Sequence, residues 1–326
     1  MKIHPMWQDY PNIATDLVEM LQLIEDNIHV RNKEIEQTML DLIHAGGKLL
    51  RPAYSLLFSS FGPNQQKEKN MAVAAALEVL HMATLVHDDV IDDAPTRRGH
   101  ETVQSKYGKD IAVYTGDYLF TVCFRLLAKY ADSLEAIEMD TKGMERILMG
   151  ELDQMHLRYN QDVTIRQYLK RISGKTAQLF ALSCYSGAFE SGCSKELSRK
   201  SYDIGNNIGM AFQIMDDILD YSQTADGFGK PVLEDIKQGV YTSPLIYAMQ
   251  GHKEAFRPLL AKGQDMTTTD VAKIQALIKQ YQGVEKAHKL ATKYTNKALK
   301  DMSKLPDTPE KEQLILLTKN LLARVL

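Results

Sequence analysis

The chain has 326 residues, a formal net charge of −3 and 44% hydrophobic residues. That size and composition suit a globular protein with a sizeable core, and they give no overall basic field of the kind that favours nucleic acid. Three cysteines, Cys123, Cys184 and Cys193, show no C-x-x-C spacing, which points to reduced, buried thiols rather than a disulfide framework.

The N-terminus, Met1-Lys2-Ile3-His4-Pro5, lacks the apolar core of a signal peptide. No stretch approaches the roughly 20 uninterrupted apolar residues of a membrane span. The richest run, Met71 to Val86, carries Glu78 and His81. The expectation is a cytoplasmic chain with no membrane span and no nucleic-acid partner.

Helical periodicity then dominates. Ile13, Leu17, Met20, Leu21 and Ile24 recur at three- and four-residue steps, and this first helix is expected to run on towards Ile43. Ala45-Gly46-Gly47 breaks it, and Lys48-Leu49-Leu50-Arg51-Pro52 opens the next, with Pro52 suited to a first turn. Gly62-Pro63-Asn64 reads as a turn. From about Lys67 to Asp92 the pattern predicts one helix of roughly 40 Å, ended by Ala94-Pro95-Thr96-Arg97-Arg98-Gly99. Further helices are expected near 109–131, 133–157, 164–189 and 194–221. Thr224 to Pro231 reads as a flexible loop, Tyr241-Thr242-Ser243-Pro244 precedes another helix, and Pro258 and Pro306 break the tail. There is no strand-like alternation and no low-complexity linker, so the fold expected is all-α, one domain over 1–326.

Chemistry concentrates in two places. Leu85-Val86-His87-Asp88-Asp89-Val90-Ile91-Asp92-Asp93 places four aspartates within six residues at the end of an apolar helix. Asp88 and Asp92 share a face, as do Asp89 and Asp92, and like charges at that spacing repel. So dense a cluster suggests a hard cation such as Mg²⁺, which takes one or two carboxylates plus substrate phosphates. Far downstream, Phe212-Gln213-Ile214-Met215-Asp216-Asp217-Ile218-Leu219-Asp220 repeats the Asp-Asp-x-x-Asp spacing. Two such helices could face each other across one cavity with metal ions between them. A solvated helix end explains one acidic cluster; two of identical spacing in apolar settings are harder to explain that way.

Basic residues sit beside the helix breaks. Lys48 and Arg51 flank the glycine pair, Arg97 and Arg98 follow the first acidic cluster, and Lys175-Thr176 and Lys230 adjoin Gly174 and Gly229. Metal-bridged diphosphates need direct cationic partners, and the arginine fork matches phosphate oxygens. Taken singly, each would be an ordinary surface charge. Gly174-Lys175-Thr176 imitates the end of a P-loop, but Leu169 stands where the first glycine should be and no strand precedes it, which excludes an ATPase. His81 alone reads as a core histidine; beside a cationic pocket it could donate to a phosphate oxygen.

On these motifs the chain resembles the trans-polyprenyl diphosphate synthases, closest to the large catalytic subunit of the bacterial hexaprenyl and heptaprenyl enzymes. The matching motifs run from Gly46 to about Ala248 and include Arg97-Arg98-Gly99 and Gln213. The resemblance implies a single bundle of long, mostly antiparallel helices around a central cavity. It implies that Asp88, Asp92 and Asp216 ligate about three Mg²⁺ ions on an allylic diphosphate, with Asp89, Asp217 and Asp220 in support. Arg97, Lys175, Thr176, Gln213 and Lys230 would hold the same diphosphate, and Lys48, Arg51, His81 and Arg98 would bind isopentenyl diphosphate. The implied activity is head-to-tail condensation of isopentenyl diphosphate with an allylic primer, farnesyl diphosphate being expected, to make long all-trans products for quinone side chains. A homodimer, or a heteromer with a small accessory subunit, is implied as well, with helix 109–131 a candidate interface.

Two positions depart from the family pattern. Leu49 replaces an arginine in Gly-Gly-Lys-Arg-x-Arg-Pro, and Val240 stands where Gly-Lys-x-Thr has its lysine. Product length should depend on what lies beneath the first motif. Ala83 and Thr84 are small and stand about one turn before Asp88, where short-chain relatives carry bulky aromatics. The growing chain is expected to pass Leu80 and Ala76 against Phe120 and Phe124, giving hexaprenyl to octaprenyl products; ordinary helix packing explains Ala83 equally well. The rival readings are a short-chain farnesyl or geranylgeranyl synthase, a terpene cyclase, a di-iron bundle built on Glu78-x-x-His81 with Asp153-x-x-His156 as a weak second half, and a non-catalytic regulatory subunit.

Overall fold

The computed structural model describes residues 3–45, 47–130, 134–156, 158–222 and 234–323. In chain order, a 3-10 turn, Pro5–Asp9, leads into α1 Pro11–Glu25, α2 Lys33–His44, α3 Leu50–Ser59 and α4 Lys67–Ile91. A two-stranded hairpin, β1 Thr96–Arg97 and β2 His100–Glu101, follows. Then come α5 Val103–Tyr107, α6 Lys109–Tyr130, α7 Leu134–His156, α8 Ile165–Ile172 and, after a π turn at Ser173–Ala177, α9 Gln178–Glu190 and α10 Lys195–Ser222. The tail holds α11 Glu234–Lys237, α12 Ser243–Met249, α13 Lys253–Leu260, a 3-10 turn at Gly263–Asp265, α14 Thr268–Gln280, α15 Gly283–Met302 and α16 Pro309–Leu322. The all-α expectation holds. The described residues fall into two compact units, Met1–Thr141 with Leu182–Tyr202 and Pro306–Leu314, and Lys142–Ala181 with Asp203–Leu305 and Ile315–Leu326.

The first unit is built on α4. Apart from Glu78 and His81 its middle is apolar on every side, and Ala72, Ala74, Ala75, Val79 and Ala83 are all completely buried. A helix that is apolar all round belongs inside a core, and its alanines let α1, α3 and α6 pack against it closely. By length and composition alone α4 and Lys109–Lys129 of α6 could each cross a membrane, although no uninterrupted apolar run was apparent. In α4, 78% of that apolar window is already buried by protein.

The sequence expectation of one helix from residue 13 to 43 is wrong, because tertiary contacts hold an intervening loop. Tyr118 of α6 accepts the His29 N–H at 2.9 Å and donates back to its carbonyl at 3.0 Å. Arg125 donates to the Asn27 carbonyl. Asn32 then caps α2 by accepting from the Glu34 and Ile35 N–H groups, a role asparagine fills well. The hairpin was also unforeseen: Arg98 and Gly99 both have positive φ, 52° and 82°, which closes a two-residue turn of the kind hairpins favour. Pro258 does not break the tail; it lies inside α13. The loop expected at 224–231 lies outside the described residues.

In the second unit the core gathers around Tyr168, Ile214, Ile218, Tyr241, Leu245, Phe256 and Ile274, each 2% exposed or less. Thr164 opens α8 with a reciprocal capping box to Gln167. The expected single helix over 164–189 is interrupted by the π turn, which sits on the Lys175-Thr176 pair; such bulges recur at functional sites.

Backbone approach within the first unit is close where α9 crosses α3. A Cβ on Gly187 would stand 2.1 Å from the Ser55 carbonyl oxygen. Gly187→Ala should therefore destabilise the fold by roughly 2–3 kcal/mol, read as a lower urea midpoint with an unchanged m-value.

Candidate active site

The acidic end of α4 is electrostatically unfavourable as it stands. Asp88 and Asp89 occupy a last turn that carries no basic residue, and Asp92 is the C-cap, its N–H donating to the Asp88 carbonyl at 2.8 Å. A helix C-terminus is the negative end of the macrodipole, so each carboxylate there costs roughly 0.3–1 kcal/mol. The aspartates resolve this differently. Asp89 is 4% exposed and accepts from Arg97 Nε at 2.7 Å and Nη2 at 2.6 Å. Asp88 is half-buried and Asp92 exposed. The middle aspartate is thus committed to the interior, while the outer two stand at the surface.

Arg97 is presented by β1, and the hairpin is tied down by Thr102 Oγ1 and Gln104 Nε2, which donate to the Ala94 carbonyl at 2.7 and 2.8 Å. Its neighbour Arg98 lays its guanidinium against Gly47, where a Cβ would meet Nη1 at 2.9 Å. Burial, together with Arg51, Arg98 and Arg97, holds the His81 imidazole well below its ordinary value, so it is neutral at neutral pH. Four residues expected to meet diphosphate, Arg51, His81, Arg97 and Arg98, therefore share one neighbourhood, and Lys48 adjoins Gly47 beside it. Leu49, the first departure from the family pattern, is 6% exposed and left-handed (φ 48°, ψ 36°). Its side chain is buried in the core.

Sequence reasoning missed Glu78. It is 5% exposed, burial raises its pKa, and Arg51 and Arg98 pull it back down. Its carboxyl lies within the electrostatic reach of both arginines of the basic pocket. The signal was a glutamate one turn before His81 in an apolar run, which the di-iron reading took for a ligand; two arginines beside it disfavour a metal there. Asp153 and His156, the other half of that reading, have side chains outside the described set.

The second motif repeats the division. Asp217 is 4% exposed and accepts from Tyr168 OH at 2.5 Å and Gln213 Nε2 at 2.8 Å, while Gln213 Oε1 accepts from Thr176 Oγ1 at 2.7 Å. Burial pushes Asp217 up to about 7, against the lowering effect of those two donors. Asp216 is half-buried and Asp220 exposed, and the last turn of α10 again has no basic residue. Lys175 Nζ donates to Glu151 at 2.7 Å. Val240, the second departure, lies in a segment bound into the core: its N–H donates to the Asp235 carbonyl at 2.7 Å, and buried Arg171 donates to the Tyr241 carbonyl at 2.9 Å. Lys230 lies outside the described residues.

Of the residues expected to set product length, Ala83 and Leu80 are buried and Thr84 is half-buried with its hydroxyl donating to the His81 carbonyl at 2.7 Å. Phe120 is half-buried, 5.6 Å from the His87 ring. Phe124 is 49% exposed and does not belong to the buried face of α6. Among the described residues no three potential metal ligands form a cluster. The outer aspartates nevertheless fit Mg²⁺, a hard ion that relies on few protein carboxylates and takes its remaining ligands from phosphate and water.

Carboxylates at helix ends, a cluster of arginines around His81 and an all-helical frame suit an enzyme that handles diphosphates. The chain matches the polyprenyl synthetase family over residues 32–281 and belongs to it. It is a prenyltransferase, of a family that is generally magnesium-dependent. It is 36% identical over 306 residues to component 2 of the heptaprenyl diphosphate synthase of Geobacillus stearothermophilus, covering 94% of each chain. Among solved structures it is similar to a geranylgeranyl pyrophosphate synthase from Lactobacillus brevis, with a TM-score of 0.94 and 43% identity over 98% of this chain and 99% of that one. It also resembles heptaprenyl diphosphate synthase from Staphylococcus aureus, with a TM-score of 0.90 and 35% identity over 96% and 98%.

Neutral His81 makes a testable contribution to stability. Its folded pKa lies below the ordinary 6.5, so the unfolded chain takes up a proton that the folded chain refuses. Stability from this site is full above about pH 6.5 and is lost as the pH falls below it. Urea unfolding at about pH 7.5 and about pH 5.5 should show a loss in the wild type that His81→Gln reduces.

Proposed function

We propose that this protein condenses isopentenyl diphosphate head-to-tail with an allylic diphosphate, farnesyl diphosphate being the expected primer, to make all-trans products in the hexaprenyl to octaprenyl range for quinone side chains. The observation that carries the reading is the matched division of aspartates. Asp89 and Asp217 are buried and hydrogen-bonded, whereas Asp88 and Asp216 are half-buried and Asp92 and Asp220 exposed at cation-attracting helix ends.

In this reading Asp88, Asp92 and Asp216 would hold about three magnesium ions together with the allylic diphosphate, with Asp220 supporting. Bound magnesium would supply charge neutralisation of the diphosphate as it leaves. Asp89 fixes the direction of Arg97, and Asp217 with Gln213 fixes Thr176, so that these groups meet the allylic diphosphate where negative charge develops. Lys175 and Lys230 complete that set. Lys48, Arg51, His81 and Arg98 bind isopentenyl diphosphate, and Glu78 keeps the two arginines in place between turnovers. The allylic carbon–oxygen bond breaks to release pyrophosphate. The allylic cation is attacked by the isopentenyl double bond, forming the new carbon–carbon bond, and pyrophosphate accepts the proton lost from the resulting cation. Apolar surroundings keep out water that would trap the cation.

The relatives differ in product. The Geobacillus and Staphylococcus proteins are named for heptaprenyl diphosphate and the Lactobacillus structure for geranylgeranyl diphosphate. Small Ala83 and Thr84 below Asp88 favour the longer product. The component 2 names support pairing with a small accessory chain, a homodimer being the other form. Exposed Val113, Tyr114 and Phe124 on α6 offer an apolar surface for either. We take residues 1–326 as one synthase domain and the enzyme as cytoplasmic.

Purified protein incubated with Mg²⁺, farnesyl diphosphate and isopentenyl diphosphate, alone and with a co-expressed accessory chain, should yield products of hexaprenyl length or longer. Products stopping at geranylgeranyl under both conditions would establish the short-chain reading, and a hydrocarbon product the cyclase. Ala83→Phe should shorten the product by one or more isoprene units with the helical content unchanged; an unaltered distribution would rule out this path.

A further inference from the structure

The reaction just described gives the N-terminal segment no role, yet that segment is joined to the basic pocket. The 3-10 turn Pro5–Asp9 is opened by His4, whose Nδ1 accepts from the Met6 N–H at 3.2 Å. Trp7, the chain's one tryptophan, is 1% exposed and packs edge-on to Tyr10 with ring centroids 5.9 Å apart. Its indole N–H donates to the backbone carbonyl of Lys48 at 2.9 Å, across 41 residues of sequence.

That carbonyl lies just outside α3. The helix ladder begins one residue later, where the Ala53 N–H donates to the Leu49 carbonyl at 3.1 Å. Leu49 itself is held left-handed, a conformation that branched side chains avoid. Local preference would therefore not keep the peptide between Lys48 and Leu49 in this orientation, and a tertiary donor is needed. The same short stretch launches the Lys48 side chain, carries Gly47 against the Arg98 guanidinium, and sets the start of the helix that presents Arg51.

We propose that Trp7 is a positioning residue for the isopentenyl diphosphate pocket: its indole N–H fixes the Lys48 carbonyl and, through the left-handed Leu49, the directions of Lys48 and Arg51. The proposal rests on the reading that Lys48 and Arg51 hold that substrate. It assigns the N-terminal turn to substrate binding and leaves the allylic site independent of it. Because the chain has one tryptophan, its fluorescence reports the environment of this indole without labelling.

The test compares Trp7→Phe with enzyme in which Trp7 is replaced by β-(3-benzothienyl)alanine, which keeps the ring shape and exchanges N–H for sulfur. Losing one buried donor should raise KM for isopentenyl diphosphate about three- to tenfold. KM for farnesyl diphosphate and kcat should stay within about twofold of wild type. If Trp7→Phe fails to fold, the benzothienyl enzyme decides alone. Wild-type kinetics in the benzothienyl enzyme would show that Trp7 only packs, and would overturn the proposal. Lys48→Ala is run in parallel. If it raises KM for isopentenyl diphosphate while loss of the indole N–H does not, the positioning role fails and the pocket stands. If Lys48→Ala leaves that KM unchanged, the pocket assignment itself fails and takes the proposal with it.

Discussion

Arg97 reaches back eight residues to a carboxylate that is almost wholly buried, and much of the first motif follows from that pair. Asp89 could not be inside without it: removing one partner of a buried ion pair costs roughly 3–5 kcal/mol. With Asp89 taken inward, Asp88 and Asp92 are left on the outer side of a helix end whose dipole repels them. The hairpin that carries Arg97 also carries Arg98, so a single tether places one cation beside the carboxylates and another against Gly47. The second motif reaches the same arrangement by neutral means. Tyr168 and Gln213 satisfy Asp217, and burial raises its pKa to about 7.

α4 serves as scaffold and as active element at once. Its alanine-rich middle is the centre of the first unit, and its last turn is the first aspartate motif. Rigid burial upstream limits the rotamers and tilt available downstream, a good foundation for a site that works by fixed charges. Of the two departures from the family pattern, one falls on a core position and the other on a half-buried one beside the core. Leu49 is buried, and Val240 neighbours Tyr241, whose carbonyl is held by Arg171.

The helical class and the aspartate motifs were legible because they depend on local spacing. Asp-Asp-x-x-Asp at the end of an apolar helix is visible without knowing what the helix packs against. What escaped depends on partners that local spacing does not link. The break between α1 and α2 is made by Tyr118 and Arg125, some 90 residues away. The inward turn of Asp89 and Asp217 needs Arg97 and Tyr168, which no periodicity links to them. Glu78 drew notice only through its Glu-x-x-His spacing and Trp7 not at all, and their roles appear only beside Arg51, Arg98 and the Lys48 carbonyl. Asn32, in contrast, was a readable cap, overlooked because the apolar pattern ran through it.

The division of labour among the aspartates is measured most directly with Mn²⁺ as a paramagnetic substitute for magnesium. Bound manganese would be counted by electron paramagnetic resonance in the presence of a non-hydrolysable farnesyl thiodiphosphate. The outer-carboxylate variants Asp88→Asn and Asp216→Asn should each lose bound ions. Asp89→Asn should keep them while binding the analogue more weakly, because Arg97 has lost its anchor. Full manganese occupancy in Asp88→Asn, together with its loss in Asp89→Asn, would contradict the account.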